Sequence, residues 1–332
     1  RPMAGRWILN SGPKKVALVG IGLFIGSTIL YIPLPNEWWI VPVRMVQGVG
    51  LAMAPVATST IVGNLAPEER RGEGMSYMGN SISIAQLYAP PLGFFLMSSI
   101  GFSVAFIVAA ASGVVALLIA TLISDAKTRI PDSAILGQDE RQEEGTAPLI
   151  SKAAIFPTLV FLTYAFAMAP VSVFLFALAL DNGLPENFNI GFYFTVMSGM
   201  TMLTTLISGR IADRWGRGSV IVPGLLLVGL AMLILWQVSS VGLFLGAAFL
   251  HGVGYGLIYP GINSLVVDRV PARERGSALA TLQQAWDVGA SGGNFILGPV
   301  VGVYGVASAF LIVGIGALTG AAGYVIGSRK KL

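Results

Sequence analysis

Long apolar runs separated by short polar breaks dominate this sequence. A helix that crosses roughly 30 Å of hydrocarbon needs about 20 apolar residues, and ten runs reach that length. They cover residues 16–35, 39–63, 74–98, 102–124, 153–180, 190–208, 219–238, 241–267, 276–299 and 303–327. The pattern therefore predicts an all-α membrane protein with about ten membrane-spanning helices.

The positive charges give this chain a predicted orientation in the membrane. Of the 20 Lys and Arg residues, all except Arg44 lie in every second loop or at the carboxyl end. Because Lys and Arg gather on the cytoplasmic side of membrane proteins, both ends of this chain are predicted to be cytoplasmic. The short outer loops favour a bacterial inner membrane.

Composition agrees with a chain surrounded by lipid. Hydrophobic residues make up 55% and charged residues 11% of the 332 residues, and the mean hydropathy is +0.77, whereas soluble domains are about a quarter charged. The net charge of +4 follows the membrane sidedness, which argues against a nucleic-acid partner. The chain has no cysteine and no phosphate-binding G-x-x-x-x-G-K-[ST] loop. We expect the lipid bilayer as surroundings and no cofactor or metal.

A single long polar segment divides the chain. Residues 125–152 are rich in charged and amide side chains and predict a cytoplasmic linker between an N-terminal bundle, 1–124, and a C-terminal bundle, 153–332. The two parts repeat each other at an offset of 204 residues. The matching pairs include Gly5-Arg6 with Gly209-Arg210, Gly12 with Gly216, Gly48-Val49-Gly50 with Gly252-Val253-Gly254, and Arg71-Gly72 with Arg275-Gly276.

The repeat is incomplete at its beginning. Two predicted spans, 153–180 and 190–208, precede Gly209, and nothing precedes its counterpart Gly5. We expect that about two helices are absent before Arg1 and that the whole protein has about twelve.

A basic, glycine-bounded turn lies between the spans 190–208 and 219–238. Its marked positions are Gly209, Arg210, Asp213, Arg214, Gly216 and Arg217, and a weaker copy contains Gly5, Arg6 and Gly12. This turn resembles the G-x-x-x-D-R-x-G-R signature of the major facilitator superfamily. The resemblance covers essentially the whole chain and implies two six-helix bundles related by pseudo-twofold symmetry, of which helices 3–6 and 7–12 are present here.

In that family the signature latches the cytoplasmic gate, which implies a network of Asp213, Arg210 and Arg217 with Asp268. The first half has Leu9 and Asn64 at the duplicate positions of the two acids. We therefore expect the stronger latch in the second half. Alternatively, such a loop only anchors the topology of the chain.

Residues 44–50 resemble a second signature of the superfamily, R-x-x-Q-G-x-G, with Arg44 and Gln47 at its polar positions. An arginine within a span is costly unless it faces a polar cavity or a partner, which makes Arg44 and Gln47 candidates for coupling or substrate binding. The alternative is an arginine that extends to the outer membrane surface.

Two other ionisable residues lie at the middle of predicted spans. Asp287 is halfway along 276–299, and His251, the only histidine, is central in 241–267. A carboxylate or an imidazole at that depth is a candidate proton carrier. Either residue is alternatively a hydrogen-bonded packing residue.

A third signature concerns a kinked helix. Superfamily antiporters carry G-x-x-x-G-P-x-x-G on the fifth helix, and this chain has Ala85, Ala89, Pro90 and Gly93 in those places. Small alanines replace two of the glycines, so we expect close packing to be kept. The resemblance implies a helix bend that seals the transport cavity.

These features predict a secondary active transporter, not an enzyme, that exports a small organic solute in exchange for protons by alternating access. A proton-coupled importer or facilitator of the same fold is the alternative, and a membrane-embedded enzyme or receptor is a remote one. We expect a monomer with its substrate site between the bundles near mid-membrane.

Overall fold

The computed structural model describes residues 7–8, 11–65, 71–124, 154–185, 187–270 and 275–329, which form helices and connecting turns without strands. The helices are α1 Pro13–Leu30, α2 Ile40–Leu65, α3 Arg71–Ser99, α4 Phe102–Leu122, α5 Ile155–Val173, α6 Leu175–Asp181, α7 Phe192–Trp215, α8 Gly218–Trp236, α9 Val241–Arg269, α10 Arg275–Trp286, α11 Gly293–Tyr304 and α12 Val306–Arg329. A π-helical turn, Asp287–Gly292, joins α10 to α11. The predicted linker, 125–152, lies outside the described residues.

Each of the ten predicted spans corresponds to one helix or to two consecutive helices, so the all-α fold is confirmed. The span 153–180 consists of α5 and α6, and the span 276–299 consists of α10, the π turn and α11. Within the described residues, seven stretches are long and apolar enough to cross a membrane on these grounds alone. Three stretches fall short. They are α3, which contains Pro90 and Pro91, α7, which ends in the charged turn, and α10–α11, whose connecting π turn contains Asp287.

Large apolar side chains cover the outside of the helices. Phe295 is 85% exposed, Leu122 84% and Trp38 78%. In water such a surface would be strongly unfavourable and would aggregate, whereas hydrocarbon solvates it without cost. Such a surface is typical of a protein that is surrounded by lipid.

The chain divides into two compact units, and each is described by itself. The first contains residues 1–82 and 92–145. In this unit α1 packs on α2 and α4, and its buried core is formed by Ile8, Val16, Ala17, Met53, Ala57 and Ile61. Lys14 donates a hydrogen bond of 3.0 Å to the Thr121 carbonyl in the last turn of α4, where a cation satisfies an end-of-helix acceptor.

The second unit contains residues 146–332 together with the middle of α3, Ser83–Pro91. In this unit α8 packs on α9 and α12, α7 packs on α9, and α5 packs on α12 and on the π turn. The division differs from the predicted boundary between bundles only in the assignment of Ser83–Pro91; the bundle boundaries at 124 and 153 stay a prediction.

The backbone repeats at the same offset of 204 residues as the sequence. Gly12 and Gly216 have φ values of +82° and +84°, and Gly101 and Gly305 have φ values of +117° and +82°. Each of these glycines directly precedes a helix or a helix N-cap, in a conformation that other residues adopt only with strain. Asn36 and Ser240, also 204 positions apart, both cap a helix start through their side chains.

The repeat extends to how the helices cross. A Cβ added to Gly50 would lie 2.7 Å from the Gly20 carbonyl oxygen, and one added to Gly254 would lie 2.7 Å from the Gly224 carbonyl oxygen. The α1–α2 and α8–α9 crossings are thus built from duplicate glycine pairs, because only glycine permits backbones to approach so closely. The duplicated architecture predicted from the sequence is confirmed within each unit.

Candidate gating and transport sites

Arg217 binds two carboxylates at the turn between α7 and α8. Its Nη1 lies 2.6 Å from Asp213 Oδ1 in the last turn of α7, and its Nε lies 2.8 Å from Asp268 Oδ2 in the last turn of α9. The Arg217 side chain is 23% exposed, whereas Asp213 and Asp268 are 72% and 51% exposed. One guanidinium at the amino end of α8 therefore ties together the carboxyl ends of α7 and α9.

The charge arrangement explains why this arginine is needed. Asp213 and Asp268 both lie at helix carboxyl ends, where the helix dipole already places partial negative charge. The hydrogen bonds to Asp268 and Asp213 raise the pKa of Arg217 above its usual value. A raised pKa stabilises the folded protein fully at every pH below the pKa of the unfolded chain, and this stabilisation is lost only as the pH rises through the pKa of the folded state. Arg217 therefore stays charged throughout the physiological range.

Not every residue of the basic turn takes part in the ion pairs of Arg217 or in close packing. Gly216 provides the positive φ at the turn, whereas an added Cβ at Gly209 would meet nothing within 4 Å, so Gly209 is not a site of close packing. Arg210, expected in the network, is exposed and makes no ion pair to another described residue. Arg214 lies over the Trp215 ring at 5.7 Å.

In the first half the corresponding turn is only partly visible. Gly12 repeats the conformation of Gly216. Gly5, Arg6 and Leu9 lie outside the described residues, so the comparison of the two latches stays a prediction there. Asn64, at the duplicate position of Asp268, is exposed.

Arg44 and Gln47 meet one turn apart on α2. Gln47 Oε1 accepts hydrogen bonds of 3.1 Å from both Arg44 Nη1 and the Tyr31 hydroxyl, and the Arg44 guanidinium lies 5.7 Å from the Tyr31 ring centroid. Gln47 is buried, whereas Arg44 is exposed. The guanidinium is held in a defined orientation, and none of the described acidic residues pairs with it.

His251 occupies the duplicate position of Gln47 and is completely buried. Its Nδ1 lies 2.9 Å from the Tyr193 hydroxyl of α7. Close packing makes this contact possible, because Cβ atoms added at Gly252 and Gly256 of α9 would collide with the backbone of α7 at the Met197 carbonyl and at the Thr201 carbonyl. Two glycines on α9 thus bring His251 within reach of a tyrosine on the neighbouring helix.

Asp287 is the first residue of the π-helical turn and is partly buried. The turn packs on α5, where a Cβ added to Gly289 would lie 2.6 Å from Ala165 Cβ, and one added to Gly293 would lie 2.7 Å from Phe166. Single π turns inside α-helices occur frequently at functional sites because they interrupt the regular backbone bonding.

Pro91 of α3 releases one backbone acceptor, and a side chain of α7 satisfies it. Pro91 has no N–H to bond the Leu87 carbonyl four residues earlier, and Thr195 Oγ1 donates to that oxygen instead, at 2.7 Å. Asn189 Nδ2 donates to the Pro91 carbonyl at 2.8 Å. A Cβ added to Gly191 would lie 2.5 Å from Pro91 Cα, so this contact requires glycine.

The neighbouring positions of this signature, Ala89 and Gly93, do not pack closely against other described residues. Ala89 is exposed, and a Cβ added to Gly93 would meet nothing within 4 Å. The close approach that we expected from the small residues occurs instead at Pro90 and Pro91, against Gly191. The helix itself continues through both prolines to Ser99.

Comparison with known proteins decides the family. The sequence model described as Major Facilitator Superfamily matches residues 1–185 and 159–331. The chain belongs to the Major Facilitator Superfamily. The predicted resemblance is therefore confirmed, and the seven apolar helices are those of an integral membrane protein of this superfamily of transporters.

Relatives within the Major Facilitator Superfamily match most of the chain. An uncharacterized MFS-type transporter of Salmonella typhimurium is 26% identical over 97% of this chain and 81% of its own length. A protein of Lactococcus lactis named as a multi-drug resistance efflux pump PmrA homolog is 26% identical over 91% of this chain and 73% of its own length. A crystal structure of a POT family transporter in complex with a thioalcohol conjugated peptide has a TM-score of 0.77 at 16% identity, covering 99% of this chain and 84% of that one.

Several residues of this superfamily member were not identified from its sequence as parts of a site. Thr195 and Asn189 become relevant only because they lie against the prolines of α3, and the bond between Tyr193 and His251 forms only because α7 packs on α9. The prolines and the glycines of α9 were visible signals of irregular or close-packed backbone, but the partners they contact are far away in the sequence.

Proposed function

We propose that this protein is a proton-coupled exporter of small organic solutes that works by alternating access in a bacterial inner membrane. It acts as a transporter and not as an enzyme, as a monomer, with protons as the coupling ion and both ends of this chain in the cytoplasm. The relative named as a multi-drug resistance efflux pump, similar over 91% of this chain, is the observation that carries the direction of transport.

The position of Asp287 supports proton coupling. A carboxylate within a span is expensive and is therefore a functional candidate by default. Here it begins a π turn, where irregular backbone lets the local structure adjust as the charge changes. Asp287 is our candidate for the carboxyl group that takes up and releases the proton, and His251 is a second, buried candidate.

The Arg217 network supports alternating access. Its two carboxylates come from α7 and α9, so that it holds three helix ends together through one side chain. We propose that this network is the cytoplasmic gate, closed when both bonds are made and open when they are broken. Arg44, oriented by Gln47 and Tyr31, is proposed to act electrostatically on substrate or on a nearby acid.

The alternative is a proton-coupled importer or a facilitator of the same fold. Its fold and its buried polar groups would be the same, so only the direction and the coupling of transport separate it from an exporter.

The test is proton-coupled transport in inverted membrane vesicles from cells that produce the protein. The solutes are ethidium, glucose and a hydroxamate siderophore, and the variants are Asp287→Asn and, as matched control, Asp181→Asn at an exposed acid that ends α6. An exporter releases protons from the acidified lumen when its solute is added, and this release is lost in Asp287→Asn and retained in Asp181→Asn. Solute movement that persists after the gradient is collapsed, with Asp287→Asn equal to wild type, would indicate a facilitator.

A further inference from the structure

A cluster of aromatic side chains lies where α5, α9 and α10 meet. The Tyr164 and Tyr255 rings are stacked at 4.8 Å with 6° between their planes, and the Trp286 centroid lies 6.0 Å from Tyr164 and 6.1 Å from Tyr255. Phe161 lies 6.2 Å from Trp286 and Tyr259 5.5 Å from Tyr255. These five rings are called the aromatic cluster below.

Two buried polar atoms, one in the aromatic cluster and one beside it, lack a hydrogen-bond partner among the described residues. The Tyr164 hydroxyl and His251 Nε2 are both fully buried, and no described residue bonds either atom. Their rings lie 6.0 Å apart, edge to face. Because a buried polar group without a partner costs free energy, two of them on adjacent rings need an explanation.

The unmatched atoms are assigned as hydrogen-bond donors. The Tyr193 hydroxyl lies 2.9 Å from His251 Nδ1, and we assign the hydroxyl as the donor, because in the opposite tautomer its own hydrogen would have no described acceptor. In a neutral imidazole whose Nδ1 accepts, Nε2 carries the hydrogen. Tyr164 O–H and His251 Nε2–H are thus two donors that an acceptor oxygen would satisfy.

The aromatic cluster becomes more accessible away from these donors. Phe161 and Tyr164 are buried, Tyr255 and Trp286 are partly buried, and Tyr259 is 37% exposed. Tyr255 contacts both the buried Tyr164 and the exposed Tyr259. Tyr255 therefore lies between the accessible Tyr259 ring and the buried Tyr164 ring.

We propose that the aromatic cluster binds a planar aromatic solute that carries a hydrogen-bond acceptor oxygen, such as a conjugated carbonyl. The solute ring stacks on Tyr255 and Trp286, and its oxygen accepts hydrogen bonds from Tyr164 and His251. This proposal rests on the proposed function, because it specifies the class of solute that the exporter takes. A sugar would bury many hydroxyl groups against rings that offer few partners, so the cluster disfavours it.

The test is binding of coumarin to the purified full chain by equilibrium dialysis, with protein-free micelles as blank. Octahydrocoumarin, which keeps the lactone oxygen and lacks the aromatic ring, is the matched ligand. Coumarin is expected to bind about three- to tenfold more tightly than octahydrocoumarin, as aromatic stacking contributes.

Tyr164→Phe is the decisive variant because it removes only the hydroxyl. We expect it to weaken coumarin binding about three- to tenfold, as for the loss of one neutral hydrogen bond, while its melting temperature equals or exceeds that of wild type, since an unmatched buried group is removed. His251→Gln is expected to weaken binding to a similar extent. Tyr304→Phe, at a 76% exposed tyrosine outside the cluster, should change neither quantity.

Equal binding of coumarin to wild type and Tyr164→Phe would overturn the proposal, and so would equal binding of the two lactones. The dialysis involves no proton gradient, so its outcome is separate from that of the transport test. Proton-coupled efflux of another solute without coumarin binding would contradict this inference alone, and coumarin binding without proton coupling would contradict only the proposed mechanism.

Discussion

At the residue scale, the gate that we propose at Arg217 depends on a small electrostatic contribution. Its two carboxylate partners are more than half exposed, and exposed ion pairs contribute only about 0–1 kcal/mol each. That is too little to matter for overall folding. It is enough to shift the balance between two transporter conformations of similar free energy.

The gate is tested with Asp213→Asn and Asp268→Asn. Each substitution keeps the side-chain shape and removes one ion pair, so we expect transport rates to change about two- to fivefold, while the melting temperature in detergent hardly changes. Because both acids bind the same guanidinium, the double variant should not show the sum of the single effects. Transport that survives both substitutions but is abolished by Arg6→Ala would contradict the assignment of the stronger latch to the second half.

At the element scale, α3 offers two backbone carbonyls near its prolines as hydrogen-bond acceptors. The Leu87 and Pro91 carbonyls bond to Thr195 and Asn189 of the α7 segment. The Thr195 bond replaces the N–H that Pro91 lacks, and the Asn189 bond adds a second polar contact to α3. The contact is therefore polar within a predominantly apolar protein, where an unmatched carbonyl is costly.

A double-mutant cycle tests this exchange of partners. Thr195→Val leaves the Leu87 carbonyl unmatched and should destabilise the protein by about 1–3 kcal/mol, measured as a lower melting temperature. In a Pro91→Ala background residue 91 again supplies an N–H to Leu87, so the same Thr195→Val substitution should have almost no effect. Thr205→Val, at an exposed position of α7, is the control. An equal loss in both backgrounds would mean that Thr195 acts by packing and not through the Leu87 carbonyl.

At the scale of the whole molecule, the features predicted from the sequence are those that depend on local chemistry. Span length follows from consecutive apolar residues, and the duplicate turns at Gly12 and Gly216 follow from glycines at a constant offset. The π turn at Asp287 was not predicted, because it depends on how Gly289 and Gly293 pack on α5. Likewise the Tyr193–His251 bond joins residues 58 positions apart, and a single sequence does not specify such pairs.

The predicted orientation is tested by single-cysteine labelling, which the chain suits because it has no cysteine of its own. Ser11→Cys, Ser98→Cys and Ser239→Cys replace exposed serines. In intact cells a membrane-impermeant maleimide should label positions 98 and 239, since position 98 lies in the last turn of α3, next to a loop without Arg or Lys, and position 239 lies in another such loop. Position 11 should react only after the membrane is opened. Labelling of position 11 in intact cells would reverse the proposed topology.

The exposed carboxylates of the Arg217 network also connect transport to the water balance of the cell. In the proposed topology they face the cytosol, whose mobile ions weaken exposed charge pairs as their concentration rises. A cell that accumulates potassium salts after osmotic shock would therefore loosen this contact, whereas a dilute cytosol would strengthen it. We expect the rates of wild type and Asp268→Asn to converge as salt on the cytoplasmic face of inverted vesicles increases, which would make the transporter responsive to osmotic stress without a dedicated sensor domain.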